Sequence, residues 1–136
     1  MLGLLHIGLL AANQTQRPPN LIDSALTKGK AQRDTGHLPE AIRQFENAAA
    51  TARQQHDADR EARSLVLLSG AQVLTFDYRA ALTHAQEALT LARQSRDYIV
   101  AGAASGNITT MDMQVGDFPS AEQQASRTIE LLEHAP

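Results

Sequence analysis

The chain has 136 residues and a mass of 14.7 kDa, enough for one domain or a short repeat array and too little for two full enzyme domains. Its 43% hydrophobic and 20% charged content is that of a folded protein, and a formal charge of -3 leaves no basic footprint for nucleic acid or anionic lipid. The absence of cysteine excludes a disulfide framework, a thiolate zinc site and a cysteine nucleophile. With no Trp, 4% aromatic residues and 23 Ala, the core must come from small and aliphatic side chains, which favours closely packed helices.

The first element is the apolar run from Met1 to Ala12, shorter than the ~20 residues a membrane-spanning helix requires. A secretory signal would place basic residues ahead of that run, yet the first is Arg17, and Leu10-Ala11-Ala12 is a poor cleavage site. The expectation is a cytoplasmic protein that does not span a membrane, with a secreted or periplasmic one processed after Ala12 as the alternative. Helical patterning begins at residue 21 and predicts helices over about 21–35, 39–55, 58–75, 78–95, 98–115 and 119–134. Ala41, Ile42, Phe45, Ala48, Ala49 and Ala52 show the i, i+3, i+4, i+7 spacing of one buried face, and strand-like alternation is absent. The breaks carry turn chemistry. Gly36 and Gly116 can adopt positive φ, Pro39 and Pro119 suit a first helical turn, and Asp57, Asp77 and Asp97 suit N-caps.

A shift of 40 residues superposes the sequence on itself without a gap. Gly36, Phe76 and Gly116 align, as do Leu38, Tyr78 and Phe118, then Ala41, Ala81 and Ala121, then Phe45, Ala85 and Ala125. Ala52-Arg53-Gln54 recurs as Ala92-Arg93-Gln94. Each repeat is a helical hairpin of helix A and helix B, giving three units over about 21–57, 58–97 and 98–136. Extended backwards, the register sets Leu2, Leu5, Gly8, Leu9 and Ala12 on Ile42, Phe45, Ala48, Ala49 and Ala52, so residues 1–20 read as a half-repeat helix and linker. That helix would also carry Leu4, Ile7 and Leu10 outward, which suits either a partly covered cap or a contact with another chain. At the opposite end Ile129, Leu131 and Leu132 lie on a last helix B with no following helix to cover them, as expected either of a piece of a larger array or of a surface that meets another chain.

The phrases Ala41-Phe45-Ala48 and Asp77-Tyr78-Arg79-Ala80-Ala81-Leu82, with small residues at Gly29 and Ser69 twelve positions before Ala41 and Ala81, resemble the tetratricopeptide repeat family. The second phrase, followed by Glu87-Ala88-Leu89-Thr90-Leu91-Ala92, is similar to long-period variants found in kinesin light chains and bacterial signalling proteins. The sequence departs from the family pattern in lacking the helix-A aromatics and the Pro that ends helix B. The resemblance implies an all-α fold in which antiparallel hairpins stack as a right-handed solenoid. It also implies a non-enzymatic module that holds a protein or peptide partner against the helices A. The implied concave positions are Asp23, Leu26, Lys30, Arg33 and Asp34; then Arg63, Val66, Gly70, Val73 and Leu74; then Ala103, Gly106, Thr110, Met113 and Gln114. Asn107 is expected to offer a backbone-directed hydrogen bond, with Val73 and Met113 side by side as an apolar anchor site. The competing possibility is that Val66, Val73, Leu74 and Met113 face neighbouring helices.

No constellation assigns a nucleophile, a base and a charge stabiliser. His6, His37, His56, His84 and His134 are scattered, and His84 with Glu87 shares a helix face best read as solvated surface. Asp57 and Asp59 occupy a turn where capping accounts for the Asp, and Gly102 and Gly106 read as close helix packing. No cofactor and no metal are expected. The expected activity is protein interaction through a groove; the alternative is a homo-oligomeric structural unit assembled through Leu4, Ile7, Leu10, Ile129 and Leu131.

Overall fold

A computed structural model of the protein describes residues 20–136, which form six helices: α1 (Leu21–Asp34), α2 (Leu38–Gln54), α3 (Ala58–Leu74), α4 (Tyr78–Gln94), α5 (Tyr98–Gln114) and α6 (Phe118–Glu133). The half-repeat helix expected over residues 1–13, with Leu4, Ile7 and Leu10, lies outside the described residues.

The helices start where the aspartates cap them. Asp57, Asp77 and Asp97 accept the backbone N–H of Arg60, Ala80 and Val100 at 3.0, 3.3 and 3.1 Å, and Asp117 does the same for Ser120 at 3.2 Å. His37 makes no capping bond, and α2 instead carries Pro39 in its first turn. All five links share one ending. The N–H two residues past the C-cap bonds the carbonyl five residues back, as from Asp57 to Ala52 at 2.9 Å, which forces the intervening residue into the left-handed region. Gly36 and Gly116 fill that position at φ 82° and 80° as expected, but His56, Phe76 and Arg96 fill it too, at 55°, 62° and 59°. The hydrogen-bonded ending imposes the conformation on side chains that resist it, at ~1–2 kcal/mol each.

Each helix packs on the next, and α1, α3 and α5 also lie side by side, whereas the backbones of α2, α4 and α6 approach only their chain neighbours and α2 meets α4 through the side chains of Arg53 and Glu87 alone among the ion pairs of the described residues. The result is an all-α helical-repeat solenoid with an inner layer (α1, α3, α5) and an outer one (α2, α4, α6). Ala41, Ala81 and Ala121 are buried where helix A meets helix B. Side-chain volumes are traded across these contacts. A Cβ on Gly29 would fall 2.5 Å from Phe45 Cε1, and one on Gly102 would fall 2.7 Å from Leu132 Cδ2. Close packing therefore explains Gly102 but not Gly106, around whose Cβ position no atom lies within 4 Å. Leu131, expected on an open face, is instead buried in a cluster with Ala62, Ala92 and Ala101, because its phase on α6 turns it inward. Ile129 and Leu132 remain exposed.

Candidate functional site

The inner layer brings three helix faces around an open groove of about 350 Å³. From α1 come Asp23, Leu26, Thr27 and Lys30, whose i, i+3, i+4, i+7 spacing makes one stripe; from α3 come Arg63, Val66 and Leu67; from α5 come Ile99, Val100 and Ala103. In the 40-residue register Arg63 and Ala103 are equivalent to Asp23, so α5 contributes residues about one turn nearer its N-terminus than α1 does. The groove thus crosses the layer obliquely. Beyond it, the bare backbone of Gly106 meets open space, and a Cβ on Gly70 would meet only the Asn107 side chain, at 3.7 Å.

Charge around the groove is sorted by partner. Arg60 donates Nε and Nη2 to Asp23 at 3.0 and 3.1 Å and Nη1 to Asp57 at 2.8 Å, tying α1 to α3. These bonds hold the Asp23 carboxyl below the usual range; Asp57 is lowered first by the Arg60 backbone N–H and then by its side chain. Arg63 reaches Asp97 at 3.3 Å. Lys30 has no ion-pair partner among the described residues, which makes it the free charge of the groove.

Of the residues singled out in the sequence, Asp23, Leu26, Lys30, Arg63, Val66 and Ala103 line the groove, and Gly70 and Gly106 leave space along the inner face. The others lie elsewhere. Asn107 donates its amide to the Val66 carbonyl at 3.1 Å and to Ser69 Oγ at 3.4 Å, so the donor expected for a ligand pins α5 to α3. Thr110 donates to the Gly106 carbonyl at 3.0 Å, and Arg33 pairs with Asp34 at 2.9 Å. Val73 is half-buried against Ala81, Ala85, Ile108 and Met111, while Leu74 and Met113 are exposed, so Val73 and Met113 do not form the free apolar pair expected of them. Ile99, Val100, Thr27 and Leu67 were missed. An exposed Ile two residues past the Asp97 cap was the available signal for Ile99.

On the outer side Arg53 donates to Glu61 at 2.7 Å and to Glu87 at 2.6 Å, and His84 Nδ1 lies 2.8 Å from Gln72 Oε1. Glu87 thus stays on the exposed surface expected for it while pairing with Arg53, and the half-buried His84 bonds α3. Among the described residues no three His, Asp or Glu side chains converge as a metal site, and no helix is long and apolar enough to cross a membrane. A family model of the tetratricopeptide repeat matches residues 21–94, which hold the first four helices. No curated protein matches the chain.

Proposed function

The chain belongs to the tetratricopeptide repeat family, whose members are protein-interaction modules, and from that premise we propose that it binds a peptide or helix of a protein partner in the groove of α1, α3 and α5. The observation that carries this reading is the groove itself: an open, largely aliphatic trough with one unpaired cation, Lys30, at its α1 wall. Val66, Ile99 and Ala103 give a partner apolar surface to cover above the buried Leu26, and Lys30 favours an acidic group beside its apolar anchor. Recognition then rests on shape and burial, with no bond made or broken.

Ala103 and Ile99 are both exposed, so changing them tests binding without opening the core. Ala103→Arg with Ile99→Arg fills the trough with charge and should cost ~2–4 kcal/mol of partner affinity if the anchor is a hot spot. The check is capture and identification of the partner from native lysate, followed by calorimetric titration of both proteins with that partner. An unchanged melting temperature with undiminished affinity would move the site away from this groove.

A further inference from the structure

Among the described residues no helix covers either end of the solenoid, and each end offers what the other lacks. Inside the array an outer helix is covered by the inner helix that follows it. Ala49, Ala50 and Arg53 of α2 meet Leu65 and Leu68 of α3 around one crevice, and Arg53 bonds Glu61 there at 2.7 Å. The 40-residue register carries this contact to both ends: on the outer helix α6 the positions to be covered are Ile129, Glu130 and Glu133, and on the inner helix α1 the covering positions are Leu21, Ala25 and Lys28. Ile129 is 59% exposed where its equivalent Ala49 is 5% exposed, and Leu21 is 77% exposed where its equivalent Glu61 is 8%.

The ends are complementary in volume and in charge. Ala49 against Leu65 is small against large, and its successor Leu89 against Ser105 is large against small. Ile129 against Ala25 would again be large against small. Lys28 stands where Leu68 and Ile108 are buried, facing the positions of Glu130 and Glu133, and none of these three charges is used in an ion pair among the described residues. We propose that a second copy of this chain occupies these faces, head to tail, with α6 of one copy against α1 of the next. Ala25 then covers Ile129, and Lys28 reaches Glu130 and Glu133. Because the two patches differ, the contact is heterologous and repeats into an open series rather than closing as a dimer. It is independent of the groove, which uses Leu26 and Lys30 on another face of α1.

Sedimentation velocity of the full chain at rising concentration reads the assembly directly. The expected result is a ladder of masses that shifts down as salt is added. Ile129→Arg should leave a monomer. Lys28→Glu alone, and Glu130→Lys with Glu133→Lys alone, should each weaken self-association by about tenfold or more through like-charge contacts, while an equimolar mixture of the two restores it. All four residues are exposed, so circular dichroism should be unchanged in every variant. A wild type that stays monomeric at every concentration overturns the proposal and leaves the α1 face to another occupant, residues 1–12 among them. Assembly that survives Ile129→Arg, or that the mixture does not restore, overturns it as well.

Discussion

The first and third hairpins share one register and divide their volume in opposite ways. In the first, Gly29 makes room for Phe45 near one end of the helix pair, and Ile22 joins Ala52 in the same buried cluster near the other. In the third, the equivalents are Thr109 with Ala125 and Gly102 with Leu132, so both inequalities are reversed. What the two hairpins share is the pairing of a small residue with a larger one at each of these contacts rather than the residue itself, so the larger side chain can come from either helix. The hairpins also differ in what seals them. Phe45 and Ile22 are fully buried, whereas Leu132 is 46% exposed. In the third hairpin Gln124 Nε2 and Thr128 Oγ1 both donate to buried Ser105 Oγ at 2.7 Å, placing polar bonds where the first hairpin has apolar contact.

The largest test of this trade removes the only large aromatic of the first core. Phe45→Ala should destabilise by ~3–5 kcal/mol. Adding Gly29→Ser recreates the Ser69 and Ala85 pair of the second hairpin, and the double variant should recover part of that loss. A double variant no better than Phe45→Ala, measured by urea unfolding, would break the volume argument.

A smaller effect separates the hairpins by the freedom of the neighbour. Gly29→Ala pushes a methyl group against a sealed aromatic ring and should cost ~1–3 kcal/mol. Gly102→Ala meets the tip of a half-exposed Leu132 that can turn into solvent, and replacing a helical glycine by alanine gains ~1 kcal/mol, so the net change should be near zero. Equal losses in the two variants would show that both ends of the array are sealed alike.

The helices and their pairing were legible in the sequence because both rest on local signals. Apolar spacing set the helix faces, and aspartates, prolines and the 40-residue repeat set the breaks to within about a residue. The left-handed positions at His56, Phe76 and Arg96 were hidden, since no glycine marks them and only the shared hydrogen-bonded ending reveals the requirement. The groove was legible only in part. Lys30, Arg63 and Val66 follow from helical phase, but the oblique crossing that brings in Ile99 and Val100 depends on how α5 is offset against α3. That offset is set by contacts such as Asn107 to Val66, 41 residues apart. Leu131 was misplaced for a related reason: adjacent residues on a helix point about 100° apart, so the run from Ile129 to Leu132 holds both buried and exposed positions.

The smallest effects are electrostatic, and they divide the two ends of the array by sign. At the junction of α1 with α3, Arg60 holds Asp23 and Asp57 below the ordinary carboxyl value of 3.8. In α5, burial and the nearby Asp117 charge push Asp112 above it. A lowered value means that the unfolded chain takes up these protons first. The Arg60 contribution is therefore complete above pH 3.8 and lost as pH falls through the folded values of Asp23 and Asp57. For Asp112 the folded chain takes up the proton first, so its charge costs stability above its folded value, and that cost is relieved as pH falls toward 3.8. Arg60→Gln should thus melt below the wild type at neutral pH, with a deficit that shrinks only below pH 3.8. Asp112→Asn should melt slightly above the wild type at neutral pH, with an advantage already gone by pH 3.8. Melting temperatures of the three proteins across the acid range decide the matter: differences that close in the same window would mean that one titration, rather than two of opposite sign, governs both ends.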